Sequence, residues 1–199
     1  MIFKKMLPCL VLLFLGVFVL VSCATIPKPE SARVGGVAGK FCMIMDSHFD
    51  NFSKGKYNSG VKLEFINLAD DKKYHTYVHD GYFFLLNLPP GKYKLVDWMI
   101  ERNDDWMAGE IGQGYGVKTN IERDSYTGVI DVKAKGITVT DNIKVRFNFS
   151  QRYSQKHCYF EYEYVYLSEP DQKDIVQQFK KEAEDNYRGW ESFQWNTVN

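Results

Sequence analysis

Between Val61 and Ile100 the chain reads VKLEFINLADDKKYHTYVHDGYFFLLNLPPGKYKLVDWMI. Its period is two. Val61, Leu63 and Phe65 alternate with Lys62 and Glu64, and Ile66 breaks the order. Such alternation puts one strand face into a core and the other into water. Asp70-Asp71-Lys72 is turn-like, and Tyr74 to His79 is the next expected strand. Asp80-Gly81 signals a second turn. Tyr82 to Leu88 is apolar over a strand's length apart from Asn87. Pro89-Pro90-Gly91 fits a type II turn, with Pro90 fixing its own φ and Gly91 taking the positive one. Lys92 to Ile100 is a further strand. Short strands punctuated by turns predict an antiparallel sandwich rather than βαβ units.

The pattern extends downstream. Asn103-Asp104-Asp105 interrupts it, and Gly109 to Gly116 is glycine-rich without the spacing of a phosphate loop, so it reads as a loop or bulged strand. Strands are expected at Val129–Ala134, Ile137–Thr140, Ile143–Phe149 and Cys158–Leu167. In the third, Ile143, Val145, Phe147 and Phe149 share one face against Lys144, Arg146 and Asn148, and in the fourth Phe160, Tyr162, Tyr164 and Tyr166 share one against Glu161 and Glu163. The period then changes. Ser168-Glu169-Pro170-Asp171 looks like a capping box with Ser168 as N-cap. Ile175, Phe179, Ala183 and Tyr187 recur every fourth residue and form one helical stripe. Gly189 is placed to end that helix. Trp190, Phe193 and Trp195 are expected to fold back onto the strands, since apolar area left wet costs about 25 cal/mol per Å².

The segment from Val61 to Ile100 resembles the transthyretin-like, or carboxypeptidase-regulatory-like, β-sandwich, most specifically at Asn87-Leu-Pro-Pro-Gly-Lys-Tyr-Lys-Leu-Val96. Asp131 to Ile143 is similar to the strand-turn-strand that continues this sandwich in related bacterial lipoproteins, with Gly136 as the turn glycine. The resemblance implies a mainly β protein: an antiparallel, prealbumin-like sandwich of about seven strands, here with one C-terminal α-helix. It implies a binding or spacer role and no catalysis.

The N-terminal residues predict export. Lys4 and Lys5 precede an apolar run from Met6 to Val21, which ends in Leu20-Val21-Ser22-Cys23. This is the layout of a signal peptide. The run is shorter than the about 20 residues of a spanning helix. Its end resembles the lipobox of bacterial lipoproteins, in which the cysteine is lipidated. Ala24 rather than Asp after Cys23 favours an outer-membrane destination. The expected organisation is therefore a signal peptide over 1–22, a lipidated tether over 23–33, a sandwich domain over 34–167, and a helix with an aromatic tail over 168–199. The prolines of the tether should discourage packing.

Composition narrows the function. The full chain holds 25 basic and 25 acidic residues, and loss of Lys4 and Lys5 leaves an acidic excess. That gives no basis for nucleic-acid binding. Of the four cysteines, Cys9 leaves with the signal and Cys23 takes the lipid. Cys42 and Cys158 either pair in an oxidising compartment or stay as two buried thiols. No Gly-x-Ser-x-Gly or His-Glu-x-x-His motif is present. His75 and His79 share one strand face and are weak metal candidates beside Asp80; a solvated face is the plainer reading. Asp46 to Asn51 alternates oxygens like a calcium loop but lacks the glycine and distant Glu. Trp106 and Tyr115 are either aromatic anchors for a partner or core residues. The expectation is a non-catalytic, cofactor-free, lipid-anchored envelope protein with a binding or structural role. Its partners would be the membrane, through the lipid, and an envelope protein or a glycan. A surface adhesin for a glycan or host ligand is the alternative, and a metal-dependent enzyme using His75 and His79 is a third.

Overall fold

The computed structural model describes residues 26–45, 54–102, 105–110, 128–147, 153–154, 157–158 and 162–198; the side chains of 101–102, 105–110, 147, 153–154, 157–158 and 162–167 lie outside that description. Among the described residues the chain is mainly β, with two main sheets and a C-terminal helical segment.

The first strand, β1 (Gly35–Met45), organises the larger sheet. Its N-terminal half pairs antiparallel with β5 (Tyr82–Leu88) and parallel with β9 (Gly136–Val139). Its C-terminal half pairs antiparallel with β2 (Gly55–Tyr57) and parallel with β10 (Asn142–Phe147). The sheet runs β13 (Tyr162–Ser168), β10, β1, β9 and β14 (Gln194–Thr197). Three of these pairings, β1 with β9, β1 with β10 and β14 with β9, are parallel, so the expectation of a wholly antiparallel sheet is corrected. The cause is that the chain lays down β3 and β4 before β5, completes the second sheet with β6, β7 and β8 after it, and then returns to the free edge of β1 in the same direction.

The second sheet runs β4 (Lys73–Val78), β3 (Val61–Asn67), β6 (Gly91–Arg102) and β7 (Asp105–Glu110), with β8 (Ile130–Val132) also on β6. A separate two-stranded ladder joins β11 (Tyr153–Ser154) to β12 (His157–Cys158). Alternation in β3 is as read: Val61, Leu63, Phe65 and Asn67 are buried, and Lys62, Glu64 and Ile66 are not.

One apolar cluster takes residues from both sheets. Val37, Phe41 and Met43 of β1, Phe83 and Leu85 of β5, and Ile143 and Val145 of β10 meet Leu63 and Phe65 of β3 and Tyr93, Leu95 and Trp98 of β6. Phe65 and Phe83 lie 5.8 Å apart between ring centres. The hairpin from β4 to β5 ties the sheets at one edge, where the Thr76 hydroxyl donates to the Phe84 carbonyl at 2.8 Å. Its turn is Asp80-Gly81 with φ of 49° and 89°, the two positive values of a type I′ hairpin.

A second cluster lies on the other face of the β1 sheet. There Ala38, Ile137 and Val139, with Phe84 and Leu86, receive α1 (Gln172–Ala183) through Ile175, Phe179 and Ala183. The expected stripe is therefore the buried one, and Tyr187 packs beside it. Phe179 sits at its centre, in edge-on contact with Phe84, Trp190 and Trp195 at 5.2, 5.9 and 5.1 Å. The tail folds back as expected, and it also adds β14 as a parallel strand beside β9.

Three local expectations are corrected. Asp171, not Ser168, caps α1, its carboxylate accepting from the Asp174 amide at 3.2 Å, because Ser168 still belongs to β13. Gly189 does not end α1, which stops at Ala183; it lies in a last helical turn, α2 (Tyr187–Trp190). There a Cβ would come within 2.6 Å of the Pro29 ring, so close approach requires the glycine. Gly91 opens β6 without a positive φ; Asn87 has the left-handed conformation instead, at φ 58°. It is the extra residue where the β1–β5 register shifts, and the bulge turns Leu88 into the core. In the turn before β9 Gly136 closes the turn through its amide to the Lys133 carbonyl at 3.0 Å, and Lys135 takes the left-handed conformation at φ 54°.

The tether expectation also changes over its described part. Ile26 is buried beneath α2. The Trp190 indole donates to the Pro27 carbonyl and the Asn186 amide to the Ile26 carbonyl, both at 2.8 Å. Asn87 holds Lys28 and Glu30 through its amide and carbonyl oxygen. The prolines do not prevent packing because these carbonyls find side-chain donors.

Phe179→Ala should lower unfolding free energy by about 3–5 kcal/mol, whereas Tyr77→Ala, on an exposed strand position, should change it by no more than about 0.5 kcal/mol. Equilibrium denaturant unfolding of the two variants checks the contrast.

Candidate functional site

The helix covers only the part of the β1 sheet built from β5, β9 and β14. Beside its N-terminal end the outward face of β1 continues uncovered among the described residues, through Lys40 and Cys42. Strand register adds neighbours on this face: Lys144 of β10 lies opposite Cys42, Lys56 of β2 opposite Ile44, and Tyr82 of β5 opposite Lys40. Asn142 lies two residues before Lys144 and shares its face. These residues surround a concavity of about 510 Å³, whose rim includes Asn58 and Asp80 of the hairpin side.

Polar contacts fix two of its walls. The Lys40 ammonium pairs with the Asp174 carboxylate of α1, and the Tyr82 hydroxyl donates to the same carboxylate at 2.6 Å. These two bonds hold Asp174 below the usual carboxylate range, the lysine having the larger effect. The same bond to Asp174, with burial, pushes the Tyr82 hydroxyl up to about 12. On the opposite wall the Asn142 amide nitrogen donates to the Glu169 carbonyl at 2.8 Å and to the Ser168 hydroxyl at 3.3 Å. The Asn142 side-chain oxygen is buried without a hydrogen-bond partner.

Cys42 forms the floor with a free thiol. Burial pushes this thiol up, while the ammonium groups of Lys56 and Lys144 pull in the other direction. A thiol held protonated is a poor nucleophile. Cys158 lies in β12 with its side chain outside the described residues.

The other sequence candidates fall elsewhere. His75 is exposed on β4 with its ring edge-on to Tyr77 at 6.2 Å, and His79 is exposed just beyond the strand, 3.9 Å from the Asp80 carboxylate. Among the described residues no group of three metal-ligating side chains gathers, around these two or elsewhere. Trp106 lies in β7 opposite Glu101, its side chain outside the described residues. Tyr115, Cys23, His48 and the Asp46–Asn51 stretch lie outside the described residues altogether, as do 111–116 of the glycine-rich segment. Among the described residues, no helix is long and apolar enough to cross a membrane.

Sequence reading did not single out the lysine-lined concavity. Lys40, Lys56 and Lys144 are far apart in the chain, and each looks like an ordinary solvent-facing strand residue. The parallel return of β10 to β1 brings Lys144 to Cys42, and nothing in the local pattern announces it. No protein-family model, curated protein or solved structure matches the chain.

The Lys40–Asp174–Tyr82 contact has a pH window. Asp174 is lowered on folding, so its contribution is present above the ordinary carboxylate range and is lost as pH falls through its lower folded value. Tyr82 is raised, so its contribution is present below its ordinary 10 and is lost as pH rises toward about 12. Asp174→Asn should cost no more than about 1 kcal/mol at neutral pH, because the pair is partly exposed and solvent-screened. Urea unfolding across pH 2–11 (about that range) should show the difference between variant and parent shrinking at both ends.

Cys42 alkylation by iodoacetamide, followed by peptide mapping, should accelerate at a higher pH than a free cysteine requires. It should be slower still in Lys144→Gln, which loses one of the two stabilising charges.

Proposed function

We propose that this chain is a non-catalytic, lipid-anchored envelope protein with a binding role, built on a transthyretin-like β-sandwich. The stacking of the two sheets into a sandwich is supported by the apolar cluster that draws on both of them. The anchor reading rests on Leu20-Val21-Ser22-Cys23. Binding is favoured over catalysis by one observation: the concavity beside Cys42 is lined by lysines and amides, and its thiol is pushed toward the protonated form.

The anchor and the docked N-terminal segment act together in this reading. Ile26 is gripped by Asn186, Trp190 and the second core. Cys23 lies three positions before it, a reach of at most about 11 Å. A lipid on Cys23 would therefore hold the domain close against the bilayer surface. An outer-membrane site is favoured by Ala24 after Cys23, and the membrane is the first partner. An envelope protein or a glycan would be the second.

Mass spectrometry of the membrane-extracted protein should find acyl chains on a chain beginning at Cys23, and Cys23→Ser should release the protein from the membrane fraction. An unacylated mature protein would overturn the anchor. Protease shaving of intact cells then assigns the side: digestion supports a surface-exposed ligand-binding role, and protection until permeabilisation supports a partner within the envelope.

A further inference from the structure

The charge in the concavity beside Cys42 is one-sided. Its lining carries Lys40, Lys56 and Lys144 against Asp80. Asp174 engages Lys40 from the helix side. Lys56 and Lys144 remain against the single carboxylate of Asp80, which accepts from the Ser59 hydroxyl at 3.5 Å. They stand on the strands that flank β1 on either side, both on the face that carries Cys42. Adjacent strands lie about 4.8 Å apart, so lysine stems from the two flanking strands span the floor between them. Both line the concavity whose floor is Cys42, and both ammonium groups act electrostatically on its thiol. A pair of like charges facing one concavity repel each other and are relieved by an anion.

The chemistry of the lining selects among anions. Two ammonium groups are compact point charges, the form in which lysine binds phosphoryl oxygens, and two of them match the double charge of a phosphate monoester. The lining also holds the amides of Asn58 and Asn142 and the Ser168 hydroxyl, which suit the hydroxyls of the group that carries the phosphate. The volume of about 510 Å³ is within the range of small-molecule sites.

We propose that the concavity bounded by Lys56, Lys144, Asn58 and Asn142 binds the phosphoryl group of a hydroxyl-bearing phosphate ester, such as a phosphorylated polyol or sugar or the glycerophosphate headgroup of a lipid. This deepens the binding role proposed above and is independent of the anchor, since phosphate titration and acylation of Cys23 are measured separately.

The test uses the mature full chain in an uncharged detergent, titrated calorimetrically with glycerol 3-phosphate, with glycerol as the uncharged control and with short-chain phosphatidylglycerol as the lipid form. Glycerol 3-phosphate should bind and glycerol should not, and raised salt should weaken the binding. Lys56→Gln combined with Lys144→Gln should weaken it by about tenfold or more. Both lysines are exposed, so the thermal midpoint of the double variant should match the parent. Lys133→Gln, an exposed lysine outside the lining, should bind like the parent. Tighter binding of the short-chain lipid assigns the site to a membrane headgroup; preference for glycerol 3-phosphate assigns it to a soluble phosphate ester. Failure of both phosphate compounds to bind, or equal binding by parent and double variant, overturns the proposal.

Discussion

Burial of β1 on both faces is the constraint on which the other layers depend. One face supplies Val37, Phe41 and Met43 to the cluster shared by the two sheets, and the other supplies Ala38 to the cluster under the helix. A strand in that position has no water-facing side over its first half, so its residues must fit two cores at once. Small residues make this geometry available. At Gly39 a Cβ would come within 2.3 Å of the Thr140 hydroxyl and 2.7 Å of the Phe83 ring. Any larger residue there would have to displace the Thr140 side chain and the Phe83 ring from the packed interior. Interiors are packed too tightly to absorb such a shift without loss.

The second core follows from the first. Once β5 pairs with β1, Phe83 and Leu85 point inward and Tyr82, Phe84 and Leu86 point outward. That outward face is too apolar to stay wet, and α1 closes over it with Phe179 at the centre of a ring of aromatic contacts. The same closure gathers the N-terminal segment. Trp190 is buried, yet its indole N–H needs an acceptor, and the Pro27 carbonyl provides it. Gly189 leaves the space in which Pro29 lies. The two ends of the described chain are thus fastened to each other.

Where the helix stops, the site begins. The Lys40–Asp174 pair and the Tyr82 hydroxyl mark the boundary between the covered and uncovered parts of the β1 face. Beyond it the outward side chains are Cys42, Lys56, Lys144 and Asn142, a polar set that needs no covering element. The outward face of β1 is therefore divided along its length: its first half packs beneath the helix, and its second half lines the concavity.

The sequence by itself determined the strands whose pattern is local. β3 and β5 fall where alternation and turn signals put them, and the stripe of Ile175, Phe179 and Ala183 is the buried face of the helix, because period two and a four-residue recurrence are read within a few neighbours. β1 was harder to read, since Gly35-Gly36-Val37-Ala38-Gly39 has neither alternation nor bulk; a strand buried on both faces loses the polar half of the pattern. Caps and turns slipped where two residues compete for one role, as at Ser168 against Asp171 and at Asn87 against Gly91, because bulge and cap geometry depend on which strand is paired alongside. The parallel return of β9 and β10, the docking of Ile26, and the meeting of Lys56 with Lys144 were decided only by tertiary structure. They join residues distant in the chain whose own neighbours look ordinary, and such pairs are fixed by the shape of the core between them rather than by any local preference.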